Sequence, residues 1–173
     1  MANTELISLF NGIQNGLEEN LLSDIYLKPK QLKALELLYR RKDVMAVFPT
    51  GYGKSLIFQL LPFLHAENKN AKVIVVSPLN SIITDQMTTL KSRGIQAGVL
   101  PNFQVTGKIN YLFSKNIKKE TLSQDIITGS LKFLFAHPES LVSDEGRKIL
   151  KSEPYGRNVV AVIIDEAHCV ELW

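Results

Sequence analysis

The residues with the clearest chemical meaning form the stretch Phe48-Pro49-Thr50-Gly51-Tyr52-Gly53-Lys54-Ser55. Its glycines permit a tight turn, and the turn's backbone N–H groups together with a following helix N-terminus attract a phosphate group. Lys54 can reach the β- and γ-phosphates of a nucleotide, and Ser55 can hold a magnesium ion. Because Phe48 occupies the place of the first glycine in the general GxxxxGK[ST] pattern, a glycine turn with a chance lysine is the alternative interpretation.

A second chemical group lies far downstream, where Asp165 and Glu166 follow an apolar run. Carboxylates beside a buried strand are costly unless a cation or a hydrogen-bond donor offsets their charge. A magnesium ion held by Ser55, Asp165 and nucleotide oxygens would do so, and Glu166 could orient an attacking water and accept its proton. An ordinary acidic turn is the alternative. His168 is either a hydrogen-bonded structural residue or part of a relay.

The elements that must position these groups alternate along the chain. Buried strands are predicted at residues 44–48, 72–77, 95–100, 131–136 and 159–164, and helices at 4–17, 29–41, 55–64, 79–91 and 143–151. Alternating helices and apolar strands predict a three-layer α/β fold, a mostly parallel sheet with helices on both faces. Ligands bind at the carboxyl ends of such strands. The glycine loop and the acidic pair both lie there, so one pocket can use both.

The first predicted helix is amphipathic. Its apolar residues recur at helical spacing and are Leu6, Ile7, Leu9, Phe10, Ile13 and Leu17. A face of this kind most often packs on its own domain. Binding of a partner is the alternative.

Composition places the chain among ordinary globular proteins, since its 173 residues are 45% hydrophobic and 21% charged. The net charge of +3 permits a polyanionic partner without requiring one. Lys115, Lys118 and Lys119 form a basic cluster, which is either a solvated face or a nucleic-acid contact. The single cysteine, Cys169, excludes a disulfide within the chain and a cysteine-based zinc cluster. The sequence contains neither a bilayer-length apolar run nor a secretory signal pattern.

Five motifs in order resemble those of the RecQ family of DNA helicases, in the DEAH-type class of superfamily two. The glycine stretch through Leu56, with Gln59, Leu60 and Pro62, is similar to motif I. A resemblance to motif Ia is carried by Val76-Ser77-Pro78-Leu79 with Ser81, Ile82, Asp85 and Gln86. A resemblance to motif Ib is carried by Phe135-Ala136-His137-Pro138-Glu139-Ser140-Leu141. Lys28 with Gln31 resembles motif 0. Asp165-Glu166-Ala167-His168-Cys169-Val170 with Trp173 resembles motif II.

The resemblance implies a RecA-like P-loop domain of a 3′-to-5′ ATP-dependent DNA helicase that uses ATP and Mg²⁺. The ATP-binding residues would be Lys28, Gln31, Thr50, Gly51, Tyr52, Gly53, Lys54 and Ser55. Ser55 and Asp165 would hold the metal, and the catalytic residues would be Lys54, Asp165, Glu166 and His168. Single-stranded DNA would lie near Pro78, Leu79, Ser81, His137, Pro138, Glu139, Ser140 and Trp173. The family works in the nucleus of eukaryotes or the cytoplasm of bacteria.

Adenine recognition fits Gln31, since an amide donates and accepts at once. Two positions depart from the family pattern, with Leu27 where an aromatic residue is usual and Glu171 where serine is usual.

The expected organisation is a helical lead-in at residues 1–25 and the first RecA-like domain at residues 26–173, ending after motif II. A second RecA-like domain would then be needed to complete the ATP site, and this chain alone would not unwind DNA. The alternative is a non-catalytic nucleotide- or nucleic-acid-binding module, or a truncated paralogue that acts through a partner. A kinase or GTPase would predict an Asn-Lys-x-Asp motif, which the sequence lacks.

Overall fold

The computed structural model describes residues 2–65, 67–101 and 119–168. The helices are α1 Ala2–Glu19, α2 Pro29–Tyr39, α3 Lys54–Leu64, α4 Asn80–Ser92, α5 Lys119–Thr128, α6 Pro138–Val142, α7 Asp144–Lys151 and α8 Glu153–Gly156. The strands are β1 Lys72–Val76, β2 Ala97–Val99, β3 Phe133–Ala136 and β4 Val159–Ile164. In this part of the chain, no helix has both the length and the hydropathy of a membrane span.

The four strands form one sheet in the order β2-β3-β1-β4, and every neighbouring pair is parallel. Each parallel pair needs a crossover, and the intervening helices supply it. The fold is therefore the α/β arrangement that the alternating sequence pattern predicts. Four strand predictions are confirmed, with ends that differ from the observed ones by no more than a few residues.

Alternate residues of the central strand β1 belong to two separate cores. Val73 and Val75 pack in the larger core, which also contains buried side chains of α1, α2, α3 and α4. Ile74 and Val76 pack in the smaller core, beside Tyr155 and Ile126. Because successive side chains of a strand point to opposite faces, the two cores lie on opposite faces of the sheet. The predicted three-layer architecture is confirmed.

Two sequence-based expectations about strands are wrong. The run from Val44 to Phe48 is not a strand, and Met45 and Val47 in it are 88% and 83% exposed. An apolar run becomes a strand only where another strand satisfies its N–H and C=O groups, and none among the described residues pairs with this one. Strand β4 is present but not fully buried, since Val162 and Ile164 are 54% and 53% exposed.

Helix α1 packs directly on α3, and only part of its apolar surface faces inward. Its Leu9, Ile13 and Leu17 are buried in the larger core, as the amphipathic pattern predicts. Its Leu6, Ile7 and Phe10 are instead 43%, 57% and 53% exposed. The inward face also carries glycines, which let the two helix backbones approach closely. A Cβ added to Gly12 would lie 2.7 Å from the Leu64 Cα atom and 3.0 Å from the Phe63 carbonyl oxygen.

Replacing Gly12 by alanine is therefore expected to destabilise the protein by about 1–3 kcal/mol, the usual cost of overpacking. The atoms that the new methyl group meets are backbone atoms, so α1 must move away from α3. Urea unfolding monitored by circular dichroism measures this loss.

Gly16→Ala is the matched control for this prediction. Its added Cβ would meet side-chain atoms, the nearest being Leu60 Cδ2 at 2.9 Å. A side chain can rotate, and alanine raises helix propensity by about 1 kcal/mol, so the net loss should be smaller. Equal losses at the two glycines would contradict the backbone-contact explanation.

Several predictions concern residues outside the described part of the chain. These include the basic Lys115 and Lys118, Cys169, Glu171 and the proposed DNA-contacting Trp173. Most of residues 104–120, where the sequence favours neither a helix nor a strand, also lie outside it.

Candidate nucleotide and nucleic-acid site

The glycine loop makes a tight turn that depends on its two glycines. Gly51 and Gly53 have φ angles of +75° and +91°, in the left-handed region that favours glycine. Gly53 is the N-cap of α3, so the loop leads directly into a helix N-terminus. The Lys54 ammonium group donates to the Phe48 carbonyl oxygen at 3.3 Å and so lies back over the loop. The helix N-terminus and the lysine ammonium group are therefore both at the loop.

Gln31 connects the start of α2 to this loop. Its Nε2 donates to the carbonyl oxygens of Tyr52 at 3.2 Å and Gly53 at 3.1 Å. Its Oε1 accepts the backbone N–H of Lys28 at 2.8 Å. The side chain is buried, and a Cβ on Gly53 would lie 2.6 Å from Nε2. In this conformation both amide hydrogens hold the loop, and only a lone pair of Oε1 remains for a base.

Lys28 and two aromatic rings form a stack along the loop. The Lys28 ammonium group lies 4.3 Å from the centre of the Tyr52 ring, within cation–π range. The Tyr52 ring stacks on Phe48 with centroids 4.7 Å apart. Near Lys28, Leu27 packs against the larger core, whereas Tyr26 is 94% exposed. The exposed aromatic residue near Lys28 in this part of the sequence is therefore Tyr26, not residue 27.

The acidic pair lies at the end of β4, on the same side of the molecule as the loop. The Asp165 N–H donates to the Val76 carbonyl oxygen at 2.9 Å, which fixes the residue against β1. Burial raises the pKa of the Asp165 carboxyl, and the Glu166 charge adds to the rise. The Glu166 N–H, which donates to Asp165 Oδ1 at 3.1 Å, and the Lys54 ammonium group oppose it. Lys54 and Asp165 are thus near enough for one charge to act on the other.

Glu166 is held in a specific position by its backbone and by His168. Its φ angle of +53° is uncommon for a residue with a side chain. Its Oε2 lies 3.2 Å from Nδ1 of His168, which is largely exposed. Unusual backbone conformations of this kind persist at sites where the surrounding structure maintains them. The Glu166–His168 contact therefore lies directly after Asp165 in the chain.

The predicted nucleic-acid residues lie along the same edge of the sheet. Register places Val76 beside both Ala136 and Ile164, so β1, β3 and β4 end level. With strands about 4.8 Å apart, His137 after β3 and Asp165 after β4 are separated by roughly 10 Å, with the end of β1 between them. The predicted catalytic residue Asp165 and the predicted nucleic-acid residue His137 therefore lie at one edge of the sheet.

Exposure differs among these predicted nucleic-acid residues. Leu79, Ser81 and Glu139 are exposed, whereas Pro78, His137 and Pro138 are half-buried. Ser140 is 1% exposed, so its side chain faces the interior in this conformation. Sequence reasoning missed Asn80, whose Oδ1 lies 2.9 Å from His137 Nε2 and joins the start of α4 to the end of β3.

Sequence reasoning also missed a polar chain behind the loop, a row of hydrogen-bonded side chains that runs from Ser55 through Gln86 and Gln59 to Arg93. Gln86 Nε2 donates to Ser55 Oγ at 3.0 Å, Gln59 Nε2 donates to Gln86 Oε1 at 2.8 Å, and Arg93 donates to Gln59 Oε1 at 3.0 Å. The sequence holds a signal for it: Ser55 and Gln59 are four residues apart on α3, a spacing that places both side chains on one helix face.

The residues present fit a magnesium ion that a nucleotide brings with it. Mg²⁺ prefers oxygen ligands and is usually held by one or two protein groups together with substrate phosphates. Ser55 offers a hydroxyl, and Asp165 offers a carboxyl group. Burial raises the pKa of that carboxyl, so a bound cation would stabilise its charged form. The described residues contain no cluster of three or more His, Cys, Asp or Glu side chains placed to hold a metal.

An open cleft of about 700 Å³ lies elsewhere, at the opposite end of α3. It is lined by residues such as Glu18, Pro62, His65 and Arg93. At 1.5 Å per residue, the length of α3 puts it about 15 Å from the glycine loop. Its lining includes Arg93, at the far end of the polar chain from Ser55, but not the glycine loop or the acidic pair.

Comparison with known proteins agrees with this geometry. Residues 28–173 match the DEAD/DEAH box helicase family. ATP-dependent helicase SGS1 of Saccharomyces cerevisiae is 32% identical over 147 residues, which are 84% of this chain and 10% of that protein. Probable ATP-dependent DNA helicase RecS of Bacillus subtilis is 32% identical over 146 residues, 84% of this chain and 26% of that protein. ATP-dependent DNA helicase RecQ of the same bacterium is 35% identical over 133 residues, 77% of this chain and 20% of that protein.

The chain thus spans between a tenth and about a quarter of the length of these relatives. The resemblance to RecQ helicases, stated above from five motifs, is confirmed by them. The sheet is the sheet of a RecA-like α/β helicase domain. Because the match includes the glycine loop, the acidic pair and every strand between them, the chain belongs to the DEAD/DEAH box helicase family.

Proposed function

We propose that this chain is the ATP-binding half of a RecQ-type, 3′-to-5′ DNA helicase motor. It binds Mg·ATP and single-stranded DNA along one edge of its sheet. The observation that carries the proposal is the packing of α3, which begins at Lys54, against β4, which leads into Asp165, although the two residues are 111 positions apart in sequence. Burial raises the pKa of the Asp165 carboxyl, and the nearby Lys54 charge opposes that rise. A lysine, a helix N-terminus and a carboxylate arranged in this way suit a magnesium triphosphate.

Each residue then has a definite role in ATP hydrolysis. Lys54 leaves the Phe48 carbonyl and contacts the phosphates, while Ser55 and Asp165 hold the metal. Bound Mg²⁺ would neutralise the charge that develops on the transferred phosphoryl group. Glu166 orients the attacking water and accepts its proton. His168, which contacts the Glu166 carboxylate, passes the state of the nucleotide to the DNA side.

The DNA side consists of the turns that follow β1 and β3. Leu79, Ser81 and Glu139 are exposed there, and the Asn80–His137 contact joins the two turns. Backbone-directed contacts to a single strand are consistent with the modest net charge of +3. A second RecA-like domain completes the ATP site, in keeping with relatives several times longer than this chain.

A binding and turnover measurement tests the proposal. A fluorescent ATP analogue is titrated with Mg²⁺ and again with EDTA, and phosphate release is followed with and without single-stranded DNA. Binding that Mg²⁺ strengthens, with release that DNA accelerates in the presence of the second domain, supports a motor. Binding without any release there favours the non-catalytic module. The absence of nucleotide binding would refute the motor and a nucleotide-binding module, and would leave only a module that binds nucleic acid or a partner.

Replacing Gln31 by leucine is expected to weaken binding of the ATP analogue about 10-fold. Two hydrogen bonds to the loop carbonyls of Tyr52 and Gly53 are lost, each with a net value of about 0.5–1.5 kcal/mol. Because both amide hydrogens hold the loop, a GTP analogue should lose affinity equally. A loss confined to ATP would mean that the amide turns to read adenine, as the family resemblance implies. Gln14→Leu, at an exposed position of α1, is the control.

A further inference from the structure

We infer that Gln86 is a positioning residue for the Ser55 hydroxyl, and that Gln59 and Arg93 set its orientation. This inference rests on the proposed function, because it concerns the metal-binding role of Ser55. Helices α3 and α4 face each other across this row of polar side chains, with Ser55 and Gln59 on α3, Gln86 on α4 and Arg93 at the C-cap of α4. Gln59 is 4% exposed, and all these contacts are at least partly buried.

Arg93 determines the direction of every hydrogen bond in this row of polar side chains. An arginine guanidinium can only donate hydrogen bonds, so the Gln59 atom that it contacts at 3.0 Å must be the carbonyl oxygen. The Gln59 amide nitrogen then faces Gln86 and donates to its carbonyl oxygen at 2.8 Å. Gln86 in turn has only its amide nitrogen left to present to Ser55, at 3.0 Å.

Ser55 is therefore held as an acceptor. A serine hydroxyl has one hydrogen and two lone pairs, and the Gln86 amide occupies one of these lone pairs. This contact fixes the rotamer of Ser55 and leaves the second lone pair for a cation. Without it the hydroxyl could turn toward other partners, and a metal would have to restrain it on binding.

Arg93 itself is anchored at the junction of three helices. It also approaches Oδ1 of Asn20 at 3.5 Å, and the buried Asn20 side chain donates to the Gly16 carbonyl oxygen of α1 at 2.7 Å. The same helix α4 starts at Asn80, beside His137. One rigid helix thus contacts a predicted metal ligand with its second turn and a predicted DNA-side residue with its first.

The inference predicts a selective loss of metal dependence. Gln86→Met keeps the length of the side chain and removes both amide groups. With the fluorescent ATP analogue, its Kd in the presence of Mg²⁺ should rise about 10-fold or more, because residues that orient a metal ligand typically contribute 10- to 100-fold. The Kd in EDTA should change less than 2-fold, so the ratio of the Kd in EDTA to the Kd with Mg²⁺ falls. Gln124→Met, at an exposed position of α5, should leave that ratio unchanged.

Two substitutions at Arg93 test the same point from a distance and guard against misfolding of the Gln86 variant. Arg93→Lys remains a pure donor and should preserve the ratio, whereas Arg93→Met should lower it. An unchanged ratio in both Gln86→Met and Arg93→Met, while Mg²⁺ still strengthens binding in the wild type, overturns this inference and leaves the proposed function standing. A wild-type protein whose nucleotide binding is indifferent to Mg²⁺ overturns the proposed function and the inference with it.

Discussion

Replacing Lys54 by alanine is expected to weaken binding of Mg·ATP about 10- to 100-fold and to lower ATP turnover about 10²- to 10³-fold. Hydrogen bonds to charged groups contribute about 1.5–3 kcal/mol each, and removing a donor aimed at developing charge costs more in rate than in binding. The affinity is measured with the fluorescent ATP analogue. The turnover is measured as phosphate release with single-stranded DNA and the second domain present.

The same substitution should hardly affect stability. Within the described residues the Lys54 ammonium group has one hydrogen bond, to the Phe48 carbonyl oxygen at 3.3 Å. Changes at such sites usually stay within about 0.5 kcal/mol. Lys91→Ala, at an exposed position in the last turn of α4, is the matched control. It should change neither the affinity for Mg·ATP nor the ATP turnover. Tight Mg·ATP binding by the Lys54 variant would mean that the loop is not a phosphate site.

Much of this site could be predicted from sequence because its parts are local. A glycine loop before a helix, and an acidic pair after an apolar strand, each keep their meaning without knowledge of the partner. Strand β1 was predicted well for a similar reason, since Val73 to Val76 are apolar throughout and a central parallel strand is buried on both faces.

The remaining features depend on which neighbours an element meets. The run 44–48 has strand-like residues, but strand formation depends on a pairing that local composition does not specify. Helix α1 has apolar residues on two sides, and the side with Gly12 faces α3 because only there can the backbones approach. Gln31 could have faced a base or the loop, and the carbonyl groups of Tyr52 and Gly53 determine its contact in this structure. Side-chain hydrogen bonds between distant segments produce no periodic pattern in the sequence, so they cannot be predicted in the way that helices and strands are.

The substitution Asp165→Asn is expected to have opposite effects on stability and on function. Burial raises the pKa of the Asp165 carboxyl, which means that the folded protein disfavours its charged form. A neutral amide avoids that cost, so the melting temperature without nucleotide and metal should rise. The same change removes a metal ligand, and Mg²⁺-dependent turnover should fall at least about 10²-fold, since even residues that only orient a ligand contribute 10- to 100-fold.

The pH dependence identifies the cause of the stabilisation. Because the folded-state pKa of Asp165 is raised, the wild type loses stability as pH rises from the ordinary aspartate range through the raised pKa. The advantage of the asparagine variant should therefore be full above that window and vanish below it, where both side chains are neutral. Differential scanning calorimetry from pH 3 to pH 8 measures it, with Asp144→Asn at the exposed start of α7 as control. A variant less stable than the wild type at neutral pH would indicate that the Glu166 N–H and Lys54 already compensate the Asp165 charge without a metal, and the electrostatic case for a magnesium site would fail.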